Sequence, residues 1–190
     1  MENPQTMQPK KPSASDVARY LLEKKGALTE YQLQKLLYYC QAWSLVVEGR
    51  PLFPEEIRAY EHGPAAPSVS MQHQRQYYVS PSDISGDSGI LSESDTAFID
   101  VVLAAYDDMS GQQLENLTHS ENPWRASFNQ LTGVNSSAVI SHELMRSYYA
   151  RLLTSTDEEQ QRHHVPNFNH PKKLYVTSSD YDWLLGYLEE

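Results

Sequence analysis

The sequence holds a single cysteine, Cys40, among 190 residues, so neither an intramolecular disulfide nor a multi-cysteine metal site can form. A reducing compartment suits such a chain. No apolar run reaches about 18 residues, and no apolar stretch follows the lysines near the amino terminus, so neither a membrane span nor a signal peptide is expected, and a cytoplasmic location is. Basic residues are scarce: 15 Lys and Arg stand against 25 Asp and Glu, a net charge of -10. Nucleic-acid binding depends on cations that neutralise phosphates, so this balance opposes it. If charge selects a partner, that partner is basic.

Also missing are the phosphate-binding loop, the dinucleotide glycine motif, the Gly-x-Ser-x-Gly elbow and the His-Glu-x-x-His pair. The 7 histidines show no helical ligand spacing, and Cys40 sits mid-helix on an apolar face, where no cation would favour its thiolate. No catalytic, cofactor-binding or metal-binding residue is therefore assigned.

What is present is an ordinary globular composition, 39% hydrophobic and 21% charged, with 13 tyrosines. That length supports one main core. A mainly α, compact single helical domain with a minor short-strand component is expected, with a flexible N-terminal arm and a C-terminal extension. The boundaries read as arm 1–14, helical domain 15–153, linker 154–173 and extension 174–190.

The periodicity predicts a first helix from an N-cap at Ser15 to Gly26. Thr29 with Gln32 forms a capping box for a second helix of about 20 residues ending at Gly49. Leu33, Leu36, Leu37, Cys40, Trp43 and Val47 share one face of it, and only Gln34, Lys35 and Gln41 clearly ask for water. A brief strand is expected at 57–60 before a turn at His62-Gly63-Pro64, then a helix from Pro67 to about Tyr77 and a loop over 79–93. Ser94, Ser110 (with Gln113) and Ser141 are read as caps of three further helices. A β-branched pair precedes the last cap, and the helix carrying Leu114 and Leu117 ends before Asn122-Pro123.

Lys35-Leu36-Leu37-Tyr38-Tyr39 with Gln41-Ala42-Trp43 is followed by Gly49-Arg50-Pro51-Leu52-Phe53. Further on come Ile57-Arg58-Ala59-Tyr60-Glu61-His62-Gly63-Pro64 and Leu117-Thr118-His119 with Pro123-Trp124. In this order the pieces resemble the Panacea domain of SocA-like antitoxins, over about residues 15 to 153. Ala65-Ala66 after the Gly-Pro turn is a small departure from it.

The resemblance implies a helical fold and a role as antitoxin in a bacterial or phage toxin-antitoxin system, neutralising a translation or growth inhibitor by direct protein contact. Delivery of the toxin to a protease is the alternative within the family. A metal-independent hydrolase using His62 and His119 with Glu61 is the alternative outside it. Trp43, Tyr60, His119 and Trp124 read first as core and turn fixtures, because large aromatics dominate cores before they dominate interfaces. Beyond the resemblance, Tyr181, Trp183, Leu184, Leu185 and Leu188 could form a short helix whose apolar stripe docks on a partner or folds back on the domain.

Overall fold

The computed structural model describes residues 11–128, 138–169, 175–176 and 178–180. Its first helix, α1 (Ala14–Lys25), starts at Ser13 rather than Ser15. The reason is local. Ser13 has an acid three residues on, and the Asp16 carboxylate accepts from both the backbone N–H and the hydroxyl of Ser13, closing a capping box.

Strand β1 (Leu28–Thr29) leads directly into α2 (Glu30–Val47), capped by Thr29 and Gln32 as the sequence predicts. Helix α2 is the centre of the domain, touching α1, α4 (Glu93–Tyr106), α5 (Gly111–Ser120) and α7 (His142–Leu153). Enclosure on so many sides explains why every residue from Leu33 to Val46 is buried and why its pattern is apolar nearly all round. It also corrects the expectation for its polar residues. Gln34, Lys35 and Gln41 are no more than 2% exposed. Gln41 accepts from the Leu52 and Phe53 N–H groups and donates to the Phe53 carbonyl, while Gln34 accepts from the Ala66 N–H. The two amides satisfy backbone that crosses the helix, which makes their burial tolerable.

Strands β2 (Arg58–Tyr60) and β3 (Gly63–Ala65) form a hairpin, with Ala59 opposite Pro64, and β5 (Ala138–Val139) adds to the free edge of β2. A second ribbon pairs β1 with β4 (Tyr78–Val79). The fold is mainly α with small sheets, as expected. Helix α3 (Pro67–Ser70) is much shorter than the sequence suggests, and the following segment winds through turns, with Arg75 at φ 67°. The 79–93 loop contains two 3-10 turns, and α4 begins from Ser92, not Ser94, because the Asp95 carboxylate reaches back to Ser92. Asn122-Pro123 does not merely end α5. It opens α6 (Asn122–Ser127), where a first-turn proline lacks only an N–H that would be unpaired anyway.

Ser141 caps α7, and the flanking Ile140 and Met145 are both buried. The stretch read as a connector is described to Asn169 and contains α8 (Asp157–Arg162). Beyond α8, the Phe168 ring lies 5.8 Å from Phe98 and 5.7 Å from Trp43, so this part of the chain packs on the domain. Asp180 is buried and accepts from Ser147 and Arg151 of α7. Tyr181, Trp183, Leu184, Leu185 and Leu188 lie outside the described residues.

Candidate protein-binding face

Lys35 and the β2–β3 hairpin meet over the first half of α2. Gly63 has φ +97°, and a Cβ there would lie 2.6 Å from Lys35 Cε and 3.1 Å from Thr118 Oγ1, so glycine is needed for backbone and for space alike. The Lys35 ammonium sits 5.6 Å from the centre of the Tyr31 ring. Among the described residues no oxygen accepts a hydrogen bond from it. Burial lowers its pKa to about 8, against the fields of Glu115 and Glu30, which favour the charged form.

His62, next to Gly63, stacks on Tyr31 at 5.2 Å and places Nδ1 3.1 Å from the Glu115 carboxylate. The Thr118 hydroxyl donates to the Glu115 carbonyl one turn back in α5. His119 stacks on Trp124 at 3.9 Å, and the Trp124 indole N–H donates to the Tyr60 carbonyl, tying α5 and α6 to the hairpin. Burial lowers the His119 pKa, which favours the neutral ring. Lys35, Tyr60, His62, Gly63, His119 and Trp124 therefore converge around one hairpin. Glu61 is exposed, and the acid that pairs with His62 is Glu115.

The other motif residues face inward. Leu36, Tyr38, Tyr39 and Trp43 line the core. Tyr39 stacks on Tyr106 at 4.1 Å, and the Trp43 indole N–H donates to the Tyr106 hydroxyl. The fully buried Glu121 accepts from Tyr149 at 2.6 Å and from Tyr39 at 3.4 Å, with His163 Nδ1 3.5 Å away. Burial raises the Glu121 pKa, while His163, Tyr149 and Tyr39 act in the opposite direction. Sequence reading missed this acid. Its tyrosine partners come from α2 and α7, so nothing local to residue 121 signals its role.

Outside the core, Tyr31, Tyr60, Pro67 and Met71 wall a groove of about 320 Å³ with Lys35 in its lining. A second hollow of about 450 Å³ lies across Glu30 and Tyr31 and includes Tyr77 and Gln112. Beside them the molecule displays Met71 (64% exposed), Tyr77 (71%) and Tyr78 (63%), the most exposed large hydrophobics among the described residues. The Tyr77 and Tyr78 rings stand edge to face at 4.9 Å. Tyrosine and methionine next to concave surface are what protein interfaces favour, since they supply large contact area at small entropic cost. None of the three was singled out in the sequence, where a helix running to about Tyr77 would have placed Met71 and Tyr77 about 120° apart around its axis.

Among the described residues no cluster of three His, Cys, Asp or Glu side chains could hold a metal ion, and no helix is long and apolar enough to cross a membrane. Residues 33–125 match the family model described as antitoxin SocA-like, Panacea domain. The match contains all the motif pieces from Lys35 to Trp124 and is narrower than the 15–153 expected from the sequence. No curated protein and no solved structure matches the chain.

Proposed function

We propose that the chain is the antitoxin of a toxin-antitoxin system and neutralises a protein toxin by direct contact, acting by binding and not by catalysis. The family match over 33–125 carries the reading. The exposed Met71, Tyr77 and Tyr78 beside two hollows support it by offering a surface suited to a protein. The working unit is residues 15–153 in the cytoplasm, without cofactor, nucleic acid or membrane, and the extension from 174 adds a second contact or a cover for the domain.

The net charge of -10 favours a toxin that is basic or has a basic groove, because opposite fields speed encounter. The chain is expected to co-purify with the product of the gene beside its own. Their association should slow several-fold as salt rises tenfold. An unchanged association rate would remove the charge argument, and failure to co-purify would remove direct contact. An adaptor that hands the toxin to a protease needs the same contact, and toxin levels in the cell tell the two apart: blocking leaves them steady and delivery lowers them.

A further inference from the structure

We propose that the groove over Lys35 receives an acidic side chain of the partner protein, its carboxylate pairing with the Lys35 ammonium. The proposal deepens the antitoxin reading and rests on its premise of protein contact. Lys35 is only 2% exposed yet lines the groove, and no oxygen among the described residues takes a hydrogen bond from its nitrogen. Its nitrogen is not among the fully enclosed polar atoms that lack a partner, so its three donors open onto the groove, where an acceptor can reach them.

The nearby acids are already engaged. Glu115 is held by His62, and Glu30 is within 3.5 Å of the Ser70 hydroxyl at the groove wall. Both keep the ammonium charged by their fields without occupying its donors. Gly63 lets the hairpin backbone press against the lysine stem, where a Cβ would meet Lys35 Cε at 2.6 Å and push the side chain from its place. The groove volume, about 320 Å³, is at the small end for ligand pockets and suits a side chain or two of a larger partner. Its apolar walls strengthen a charge pair by excluding water, and they continue outward to the exposed Met71. A basic partner carrying one acidic anchor fits both the acidic field of the chain and this single cationic floor.

The test titrates the full ¹⁵N-labelled chain with N-acetyl-glutamyl-tyrosine amide and with its glutamine counterpart, followed by NMR. The glutamyl probe should shift Tyr31, Lys35, Gly63 and Met71 saturably and bind at least about fivefold tighter than the glutaminyl one. Lys35→Met should abolish that preference, and Glu30→Gln should sharpen it by removing a competing negative charge. On the unaltered chain, binding should weaken about tenfold from pH 7 to pH 9, following the fraction of Lys35 still protonated. Of the other groups around Lys35 (Glu30, Glu115, His62, His119 and Tyr31), His119 is shifted down and Tyr31 up, away from that window. This arm stands even if Lys35→Met fails to fold.

Equal binding of the two probes, or an unchanged preference in Lys35→Met, overturns the proposal. So does acetate binding as tightly as the peptide, which would mark a site for small anions only. Saturable glutamyl binding in a chain that neutralises no toxin would sink the antitoxin reading alone. Full neutralisation without any glutamyl preference would sink the anchor alone.

Discussion

Replacing Lys35 by methionine separates the stability cost of its buried ammonium from its use in recognition. The side chain is 2% exposed and its pKa falls from 10.5 to about 8, with burial as the largest cause. At ~1.4 kcal/mol per pKa unit, keeping this group charged in the folded protein costs about 3 kcal/mol. The folded pKa lies below the unfolded one, so the unfolded chain binds the proton more tightly and stability rises with pH. At pH 7 nearly the whole cost is present, and between pH 7 and pH 9 roughly 1 kcal/mol is recovered as the folded-state lysine loses its proton. Tyr38, Tyr39, Tyr106 and Tyr149 have raised pKa values and act only from about pH 10 upward, and the raised Cys40 thiol only above about 9. The window from pH 7 to pH 9 is thus left to Lys35.

Methionine keeps the flexible stem and discards the charge. In urea titrations at pH 7 Lys35→Met should be about 1–3 kcal/mol more stable than the unaltered chain, and its stability should be flat from pH 7 to pH 9. A flat profile in the unaltered chain, or a rise that survives the substitution, would refute the assignment. A destabilised variant would show that the ammonium has an internal partner after all.

Three further outcomes follow from the core and the tail. Glu121→Gln should be at least as stable as the unaltered chain at pH 7. The raised Glu121 pKa lets the folded state hold its proton more tightly, so stability falls as pH rises from about 4.5 through the folded value, a fall the variant should lack in pH-dependent melting. Leu37→Ala, at a position with no exposure in the centre of α2, should cost about 3–5 kcal/mol in urea unfolding; a cost under 1 would mean that α2 is not the centre of the core. Deleting residues 174–190 should lower the melting temperature if the segment covers the domain, or weaken neutralisation at unchanged melting temperature if it holds the partner, and no change in either assay removes both roles.

Much of this fold is legible where the signal is local. Thr29-Gln32 and Ser110-Gln113 mark the starts of their helices, and the two misplaced starts have one cause: at Ser13 and Ser92 the acid three residues on closes a box that Ser15 and Ser94 cannot form. Where partners come from distant parts of the chain, the sequence misleads. Gln34 and Gln41 look like solvent positions until the backbone at Ala66 and at Leu52-Phe53 is laid across them. Lys35 and His62 are legible as motif residues, but their meeting beside Glu115 depends on how α2, α5 and the hairpin pack. Tyr77 lies beside Tyr78 at the exposed face near Met71 in a chain whose α3 stops at Ser70, an end that no strong breaker in the sequence announces.

The proposed toxin contact falls on the face carrying Met71, Tyr77 and Tyr78. Its most direct measurement is growth of cells expressing the neighbouring gene together with either the unaltered chain or a Tyr77→Ser/Tyr78→Ser variant. Both tyrosines are exposed, so the melting temperature of the variant should match the unaltered chain within a few degrees. The neighbouring gene alone should arrest growth, the unaltered chain should restore it and the double variant should not. Arrest that persists with the unaltered chain contradicts the antitoxin reading, and full rescue by the double variant contradicts the face.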